Sequence, residues 1–286
     1  MIWGSTKRGS PKTRSGNTIG AGEAVASSSD QLVHGDFSDL AEDYSRFRPQ
    51  YAARVLEALL ALAPPKTEDL HVVDVGAGTG IWSRMVAQHG CSVTAVEPND
   101  AMREQGERHP LQETVTWCRG AAESTGLPAQ CCDILTMASA FHWADFEQAI
   151  IEFIRILRSG GLFCALWNPR LIEVNPLLVK IEERLHELVP DLKRVSSGRS
   201  EFCAGLTERL ISCKEFENDV LYLEARHTER MSPDRYVGAW RSVNDVRVQA
   251  GPKRFSKFLS YVEQQTCDLT HIDACYLTRA WVARRK

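Results

Sequence analysis

The segment VVDVGAGTG at 72–80 places three glycines, Gly76, Gly78 and Gly80, directly after a short apolar run. Glycine lets a backbone turn sharply and lets a ligand approach without meeting a Cβ atom. Glu97 lies 19 residues beyond Gly78 and ends the next apolar run. A carboxylate at that distance from a glycine loop can accept hydrogen bonds from both hydroxyls of an adenosine ribose. The spacing therefore predicts a site for a ligand that contains adenosine.

Two details of this loop distinguish a dinucleotide from other ligands that contain adenosine. A dinucleotide-binding loop of the G-x-G-x-x-G type needs a third small residue at position 81, where a pyrophosphate sits beside a helix, and this position is Ile81. The carboxylate of Asp74 repels a pyrophosphate but attracts a ligand that carries an ammonium and a sulfonium. The loop thus favours a cationic ligand over NAD, and a glycine turn without a ligand is the remaining alternative.

Strands and helices alternate in the sequence around this loop. The apolar runs HVVDV, SVTAVE, VTWC, DILTMA and LFCALW are predicted strands. Predicted helices between them include IWSRMVAQH, closed by Gly90, and ADFEQAIIEFIRILR, which is capped by Asp145 and ends at 159–161. This alternation predicts an α/β fold in which helices cover both faces of a parallel sheet.

The alternation stops after Trp167. NPLLVKIEERLHEL predicts an amphipathic helix capped by Asn175. DVLYLEAR and a part of DACYLTRAWVA predict two late strands, with SPDRYVGAWRSV and FSKFLSYVEQQ as helices between them. We expect residues 170–214 to form a helical insertion that acts as a lid. Residues 1–30 contain few large apolar side chains and are expected to be a disordered tail, which leaves 31–286 as one domain.

Five motifs between residues 37 and 170 resemble those of class I S-adenosylmethionine-dependent methyltransferases, most of all the small-molecule branch called type 11. They are VVDVGAGTG, VEPND at 96–100, GAAESTGLP at 120–128, MASAFHWAD at 137–145 and LRSGGLFCALWN at 157–168. The resemblance implies a Rossmann-like, doubly wound sheet of seven strands whose last pair is antiparallel. It also implies S-adenosyl-L-methionine as the methyl donor and S-adenosyl-L-homocysteine as the product.

The resemblance further implies which residues bind the donor. Gly76 and Gly78 match the glycines along which its amino-acid end lies, and Asp74 matches the acidic residue near its ammonium. Glu97 matches the carboxylate that binds the ribose hydroxyls. The other predicted donor-binding residues are Ala77 and Pro98 in these two motifs, Ala122 and Glu123 at the adenine, Ser139 beneath the sulfonium, and Tyr44 and Arg48 in an amino-terminal helix that closes over the cofactor.

The acceptor side is predicted from the chemistry of methyl transfer, which chiefly requires alignment of the reactants and exclusion of water. His142 is the candidate general base, a role needed only for a neutral, weakly acidic acceptor; the alternative is that it shapes the cofactor floor. Trp143 and Trp167 are candidate walls of the acceptor site, with core packing as the alternative. Asn168 is a candidate for orienting a polar acceptor.

Composition narrows the range of partners. The net charge is −3 and the pI about 6.3, whereas nucleic-acid-binding domains more often have a pI above about 9. Nine cysteines without a C-x-x-C pair predict free thiols in the cytosol, and the histidines show no metal-ligand spacing. We find neither the run of about 18 apolar residues that a membrane helix needs nor the apolar region of a secretory signal.

These observations predict a cytoplasmic enzyme that methylates an oxygen or nitrogen atom of a small molecule, without a metal, nucleic acid or membrane as partner. Two alternatives stay open at this point: a methyltransferase that acts on a protein or RNA, and a non-catalytic module that binds S-adenosylmethionine. The sequence specifies neither the acceptor nor the oligomeric state.

Overall fold

The computed structural model describes residues 37–64, 69–110, 114–194 and 198–286. The predicted tail at 1–30 and the predicted domain start at residue 31 lie outside these ranges. The described strands are β1 (His71–Val75), β2 (Ser92–Val96), β3 (Val115–Cys118), β4 (Cys132–Ala138), β5 (Leu157–Trp167), β6 (Phe216–Met231) and β7 (Ile272–Arg285). The described helices are α1 (Ala41–Phe47), α2 (Ala53–Ala61), α3 (Ile81–Gln88), α4 (Asp100–Glu107), α5 (Phe146–Ile156), α6 (Pro176–Leu188), α7 (Glu201–Ala204), α8 (Leu206–Ile211), α9 (Pro233–Arg241) and α10 (Asn244–Thr266).

The strands form one sheet in the order β3-β2-β1-β4-β5-β7-β6. The first five strands in this order are parallel, and β7 is antiparallel to both β5 and β6. This arrangement confirms the predicted doubly wound α/β fold with seven strands and an antiparallel last pair. Strand order reverses between β1 and β4, and in such sheets a ligand binds beyond the carboxyl ends of the strands at that point.

Both faces of the sheet are buried in apolar clusters, which explains why its central strands read as continuous apolar runs. Side chains alternate between the faces, so that Val73 joins one cluster and Val72 the other. The first cluster contains Phe141, Phe153, Phe163 and Trp167, and the second contains Leu56, Trp82 and Val86. A third apolar cluster joins α6, α9 and α10 to the end of β6 and the start of β7.

The paired strands β6 and β7 continue beyond the end of β5. Trp167 at the end of β5 pairs with Arg279, whereas residues 272–278 of β7 pair with 225–231 of β6. Because β7 runs antiparallel to β5, this two-stranded extension projects past the carboxyl edge of the parallel strands. We call it the β6–β7 ribbon, and it carries residues of the third apolar cluster such as Tyr276.

Several predicted element boundaries are wrong. The helix expected to end at 159–161 ends at Ile156, because Leu157 is fully buried and already pairs with Cys132 in the sheet. The predicted strand DVLYLEAR is the middle of the longer β6. The predicted helix FSKFLSYVEQQ is the second half of α10, whose two halves meet at Gly251, with φ +67°, and Pro252.

The expected insertion at 170–214 is divided between two environments. Leu206 and Leu210 of α8 belong to the first apolar cluster under the sheet, so α8 is part of the core and not of a lid. Ile181 and Leu185 of α6 pack in the third cluster with α9 and α10. The lid prediction is therefore wrong for α8 and stays a prediction for α6. In the described ranges, no helix combines the length and apolar character needed to cross a bilayer.

The amino-terminal helix α1 is held by elements from the far end of the chain. Gly238 of α9 lies against the buried ring of Phe47, so close that a Cβ atom at position 238 would come within 2.4 Å of the ring. The Nε atom of Arg241 lies 3.4 Å from a carboxylate oxygen of Asp43. Contacts across about 190 residues of sequence thus fix the position of α1.

We expect Gly238→Ala to lower the free energy of unfolding by about 1–3 kcal/mol, because the added methyl overpacks the contact with Phe47. Inside a helix, replacing glycine by alanine usually raises the free energy of unfolding by about 1 kcal/mol, so the expected effect has the opposite sign. Gly205→Ala is the control, since a Cβ atom at position 205 meets no described atom within 4 Å. Urea unfolding measures both variants, and equal stabilities would contradict the packing of α1 on α9.

Candidate functional site

A cleft of about 1070 Å³ opens at the carboxyl edge of the parallel strands. Residues of α1 and of the loops after β1, β2, β3 and β4 form what we call the glycine-loop half. Residues after β5, on α6, at the start of α10 and on the β6–β7 ribbon form the ribbon half. The lining includes all of the predicted site residues except Asp74 and Trp167, namely Tyr44, Arg48, Gly76, Ala77, Gly78, Glu97, Pro98, Ala122, Glu123, Ser139, His142, Trp143 and Asn168.

The glycine loop folds back against the end of β2. The amides of Gly76 and Ala77 donate to the carbonyl of Val96 at 2.8 and 3.2 Å. Gly76 has φ +67° and Gly78 φ +59°, a region that residues with a Cβ rarely adopt. A Cβ atom at Gly76 would also lie 2.6 Å from that of Ala140 in the loop after β4. Glycine is therefore required here by conformation and by space.

The carboxylate of Glu97 is fixed by two backbone amides. Gly78 N donates to one oxygen at 2.7 Å and Asn99 N to the other at 2.9 Å. Glu97 lines the cleft although only 6% of its surface is exposed. Burial raises its pKa, and the two amide hydrogen bonds oppose that rise by stabilising the ionised form. Each oxygen retains lone-pair capacity for a hydroxyl donor from a ligand.

Asp74 lies behind the glycine loop and does not line the cleft. It is fully buried and accepts hydrogen bonds from Ser83 Oγ at 2.6 Å and Thr136 Oγ1 at 2.9 Å. Burial raises its pKa to about 7, although both hydroxyl bonds favour the ionised form. Asp74 thus connects β1 to α3 and β4. Because it does not line the cleft, it would act on a ligand only through the glycine loop.

The loop after β4 carries the next predicted residues. Ser139 has φ +56°, and its hydroxyl is hydrogen-bonded to the phenol of Tyr51 at 2.9 Å. In the loop after β3, Ala122 is buried, and Glu123 accepts a hydrogen bond from Asp145 N at 2.7 Å. That bond joins the predicted adenine-binding loop to the start of α5.

Tyr44 and Arg48 lie together over the glycine-loop half. The Arg48 guanidinium sits 4.7 Å from the centre of the Tyr44 ring, and its Nη2 donates to Ser242 O at 2.8 Å. Phe37 packs edge-on against both Tyr44 and Trp143. The result is an aromatic cover that spans from α1 to the loop after β4.

His142 does not have the geometry of a general base. Its Nδ1 accepts a hydrogen bond from the indole Nε1 of Trp167 at 3.2 Å. An indole nitrogen only donates, so the proton of the neutral imidazole sits on Nε2. Nε2 is buried and has no hydrogen-bond partner among the described residues. Burial also lowers the pKa of His142 to about 4. His142 is therefore a hydrogen-bond donor towards the cleft, and its prediction as a base is corrected.

The two predicted wall residues, Trp143 and Trp167, lie in different environments. Trp143 is 39% exposed and lines the cleft, as expected of a wall. Trp167 is fully buried against Phe202 and Trp281, so the prediction of a wall is wrong and its indole instead orients His142. The Asn168 amide donates to Gln50 O at 2.8 Å and accepts from Thr278 Oγ1 at 2.9 Å, which commits its side chain to holding the cleft together.

Residues 73–165, from β1 to β5, match the family model of a methyltransferase domain, and this span contains the glycine loop and the loops after β2, β3 and β4. The chain carries a class I S-adenosylmethionine-dependent methyltransferase domain. An uncharacterized methyltransferase of Mycobacterium bovis is 36% identical over 127 residues, 44% of this chain and 49% of that protein. A malonyl-[acyl-carrier protein] O-methyltransferase of Pectobacterium atrosepticum is 32% identical over 140 residues, 47% and 54% of the two chains. The chain thus spans about half the length of these relatives.

Solved structures support the same assignment. A structure described as a type II methyltransferase from Anaeromyxobacter dehalogenans is 25% identical, with a TM-score of 0.57 over 83% of this chain and 97% of that one. A structure from Anabaena variabilis, described as a methyltransferase from an antibiotic biosynthesis pathway, shares the fold at 22% identity and a TM-score of 0.53, over 82% and 98%. The structural similarity therefore extends well beyond the residues matched by the family model.

The residues of the methyltransferase domain fit its methyl donor, S-adenosylmethionine. Only glycine fits the conformation and space at position 76, and no side chain at 76 or 78 obstructs the backbone. The Glu97 carboxylate is held in the cleft by amides that leave it able to accept ribose hydroxyls. Sequence reasoning missed Phe37, Tyr51 and Tyr276, which also line the cleft, as does Arg170. Tyr51 lies only three residues beyond Arg48, whereas no motif marks Tyr276.

The buried carboxyl of Asp74 makes stability depend on pH. Its folded-state pKa of about 7 lies above the ordinary value of 3.8, so between these values the folded chain keeps a proton that the unfolded chain releases. This group therefore makes stability fall as pH rises. From pH 5 to pH 7 we expect the unfolding free energy of Asp74→Asn to gain about 2 kcal/mol relative to wild type, by urea titration. Parallel pH curves would contradict the raised pKa.

The tautomer of His142 is measurable by nitrogen NMR. We expect a protonated Nε2 and an unprotonated Nδ1 at pH 7, with no second protonation above pH 5, because its pKa is about 4. In Trp167→Phe the indole donor is absent, so signal from the Nδ1-protonated tautomer should grow. An Nδ1-protonated ring in the wild-type protein would overturn the assigned hydrogen bond and restore His142 as a candidate base.

Proposed function

We propose that this chain transfers a methyl group from S-adenosylmethionine to an oxygen or nitrogen atom of a small-molecule acceptor. One observation carries the proposal: a single cleft joins the Gly76–Glu97 arrangement to a second half lined by polar side chains. A non-catalytic binding module would need only the first half. The presence of both supports a role in bringing a donor and an acceptor together.

In this proposal the glycine-loop half seats the donor. The backbone at Gly76 and Gly78 lies along its amino-acid end, and Glu97 accepts from its ribose hydroxyls. Ala122, Glu123 and Pro98 surround the adenine, while Ser139 lies beneath the sulfonium. Tyr44 and Arg48 cover the amino-acid end from α1, with the Arg48 guanidinium available to its carboxylate. Asp74 acts from behind the loop by holding β1, α3 and β4 in register.

The donor supplies a methyl group already activated by a positively charged sulfur. The protein then has to align the acceptor and keep out water, which contributes more here than proton transfer. The aromatic cover of Phe37, Tyr44 and Trp143 excludes water from one side. His142 offers an Nε2 proton that can orient an acceptor atom. With Nε2 of His142 protonated, this proposal uses acceptors that are already nucleophilic, such as a carboxylate, a phenolate or an amine.

The size and enclosure of the cleft favour a small acceptor over a macromolecule. The ribbon half is bounded by α6, the start of α10 and the β6–β7 ribbon, and a volume near 1070 Å³ suits a cofactor together with a small molecule. The acyl-carrier-protein O-methyltransferase among the relatives acts on an oxygen atom of a malonyl group. A C-methyltransferase of ubiquinone and menaquinone biosynthesis from Zymomonas mobilis, 30% identical over 106 residues, represents a second acceptor chemistry. A cytoplasmic location stays a prediction from composition.

Calorimetric titration with S-adenosylhomocysteine tests the donor half. We expect binding to wild type and at least tenfold weaker binding to Glu97→Gln, because hydrogen bonds to a charged group contribute about 1.5–3 kcal/mol. Glu104→Gln on α4, at an exposed position, is the matched control and should bind like wild type. The proposal fails if wild type shows no binding below about 1 mM, a far weaker affinity than the site predicts. Release of S-adenosylhomocysteine in a screen of candidate metabolites then tests transfer itself.

A further inference from the structure

The ribbon half contains an arginine that no carboxylate neutralises. Arg170 follows β5 and is bridged through its backbone to Tyr276 on the β6–β7 ribbon. Its guanidinium lies 3.8 Å from the centre of the Trp240 ring on α9. Stacking of this kind holds a guanidinium plane while its edge keeps N–H groups to donate. The packing thus fixes Arg170 at the cleft without using up its hydrogen-bonding capacity.

Two other arginines of the ribbon half form ion pairs. Arg194 lies 2.8 Å from Glu182 and 3.5 Å from Asp245, and Arg199 lies 2.7 Å from Glu173. In the part of the chain that the structure describes, neither Arg170 nor Arg48 lies within ion-pair distance of a carboxylate oxygen. The guanidinium of Arg170 therefore remains able to pair with an anion that enters the cleft.

Buried polar atoms around Arg170 also lack partners among the described residues. They include Arg170 Nε, Arg48 Nε and the hydroxyl of Tyr276, a cleft-lining residue that is only 2% exposed. A buried donor without a partner costs about 1–3 kcal/mol, more when it is charged. Burial lowers the pKa of Arg48 and the charge of Arg170 lowers it further, whereas the charge of Asp245 opposes the shift. An anion that accepted hydrogen bonds from Arg170 and Tyr276 would satisfy donors that lack partners among the described residues.

We propose that Arg170 and Tyr276 bind an oxyanion of the methyl acceptor, a carboxylate or a phosphate. This inference rests on the proposed function and specifies its substrate class as an organic anion. A guanidinium edge matches the two oxygens of a carboxylate or phosphate, and the Tyr276 hydroxyl can donate a further hydrogen bond. Arg170 is thereby a specificity-determining residue, which selects an acidic acceptor over its neutral analogue.

Thermal unfolding in saturating S-adenosylhomocysteine tests this subsite, because that ligand occupies the glycine-loop half. The probes are glutarate, its neutral analogue glutaramide, and glycerol 3-phosphate, at matched ionic strength. We expect at least one of the two anions to raise Tm in a saturable way that glutaramide does not reproduce. A response to glutarate alone assigns a carboxylate, and a response to glycerol 3-phosphate alone assigns a phosphate. Equal responses to all three compounds, or none, would overturn the proposal.

Two variants and a control locate the effect. Arg170→Gln should weaken the apparent affinity for the anion at least tenfold, whereas Arg170→Lys should restore part of it. Arg199→Gln, in the same cleft but paired with Glu173, should respond like wild type. An anion effect that persists undiminished in Arg170→Gln would overturn the assignment. Binding of S-adenosylhomocysteine to each variant verifies folding.

The same measurements separate two failures. Binding of S-adenosylhomocysteine without any selective response to anions would overturn the anion subsite and leave the proposed function intact. Absence of S-adenosylhomocysteine binding would overturn the proposed function, and the anion titrations are therefore repeated without it. A response that depends on Arg170 under those conditions would still support the subsite.

Discussion

The hydrogen bonds that fold the glycine loop onto the end of β2 determine most of this site. Val96 O receives the amides of Gly76 and Ala77, and Glu97 receives that of Gly78. These bonds require β1 and β2 to be adjacent and in register, as the pairing of Val75 with Val96 shows. They also require positive φ at the glycines, which no other residue adopts readily. The carboxylate and the loop are consequently one rigid unit.

A second set of constraints builds the other half of the cleft. The antiparallel β7 lets two strands continue past the edge at which the parallel strands stop. The resulting ribbon carries Tyr276 to the cleft and gives α6, α9 and α10 an apolar surface on which to pack. The family model ends at residue 165, before any of these elements. The fold therefore separates the region that the family model matches from a second region, built around the ribbon, that the model does not include.

Most features of the first region depend on local sequence, whereas features of the second depend on contacts between distant segments. The parallel sheet, the glycine loop and its juxtaposition to Glu97 could be predicted, because each depends on local pattern or on a spacing within one strand–helix–strand unit. The state of His142 could not be, because it depends on Trp167, which is 25 residues away in sequence and reaches it from the neighbouring strand. Similarly, α8 has the amphipathic pattern of any surface helix, and only the tertiary structure shows that it packs beneath the sheet. Arg170 and Tyr276 meet through a bridge between distant segments that no short motif records.

The attachment of α1 to the late helices has a consequence for the order in which the molecule assembles. The five parallel strands and their helices need only residues up to 167 to find one another. The cover cannot close at that stage, because Arg48 reaches Ser242 and Ala52 reaches Thr278, partners 194 and 226 residues later. Contacts of such sequence separation form slowly, since a long loop must first be closed. A growing chain would thus form its five parallel strands early and leave the cleft open until α9 and β7 have been made.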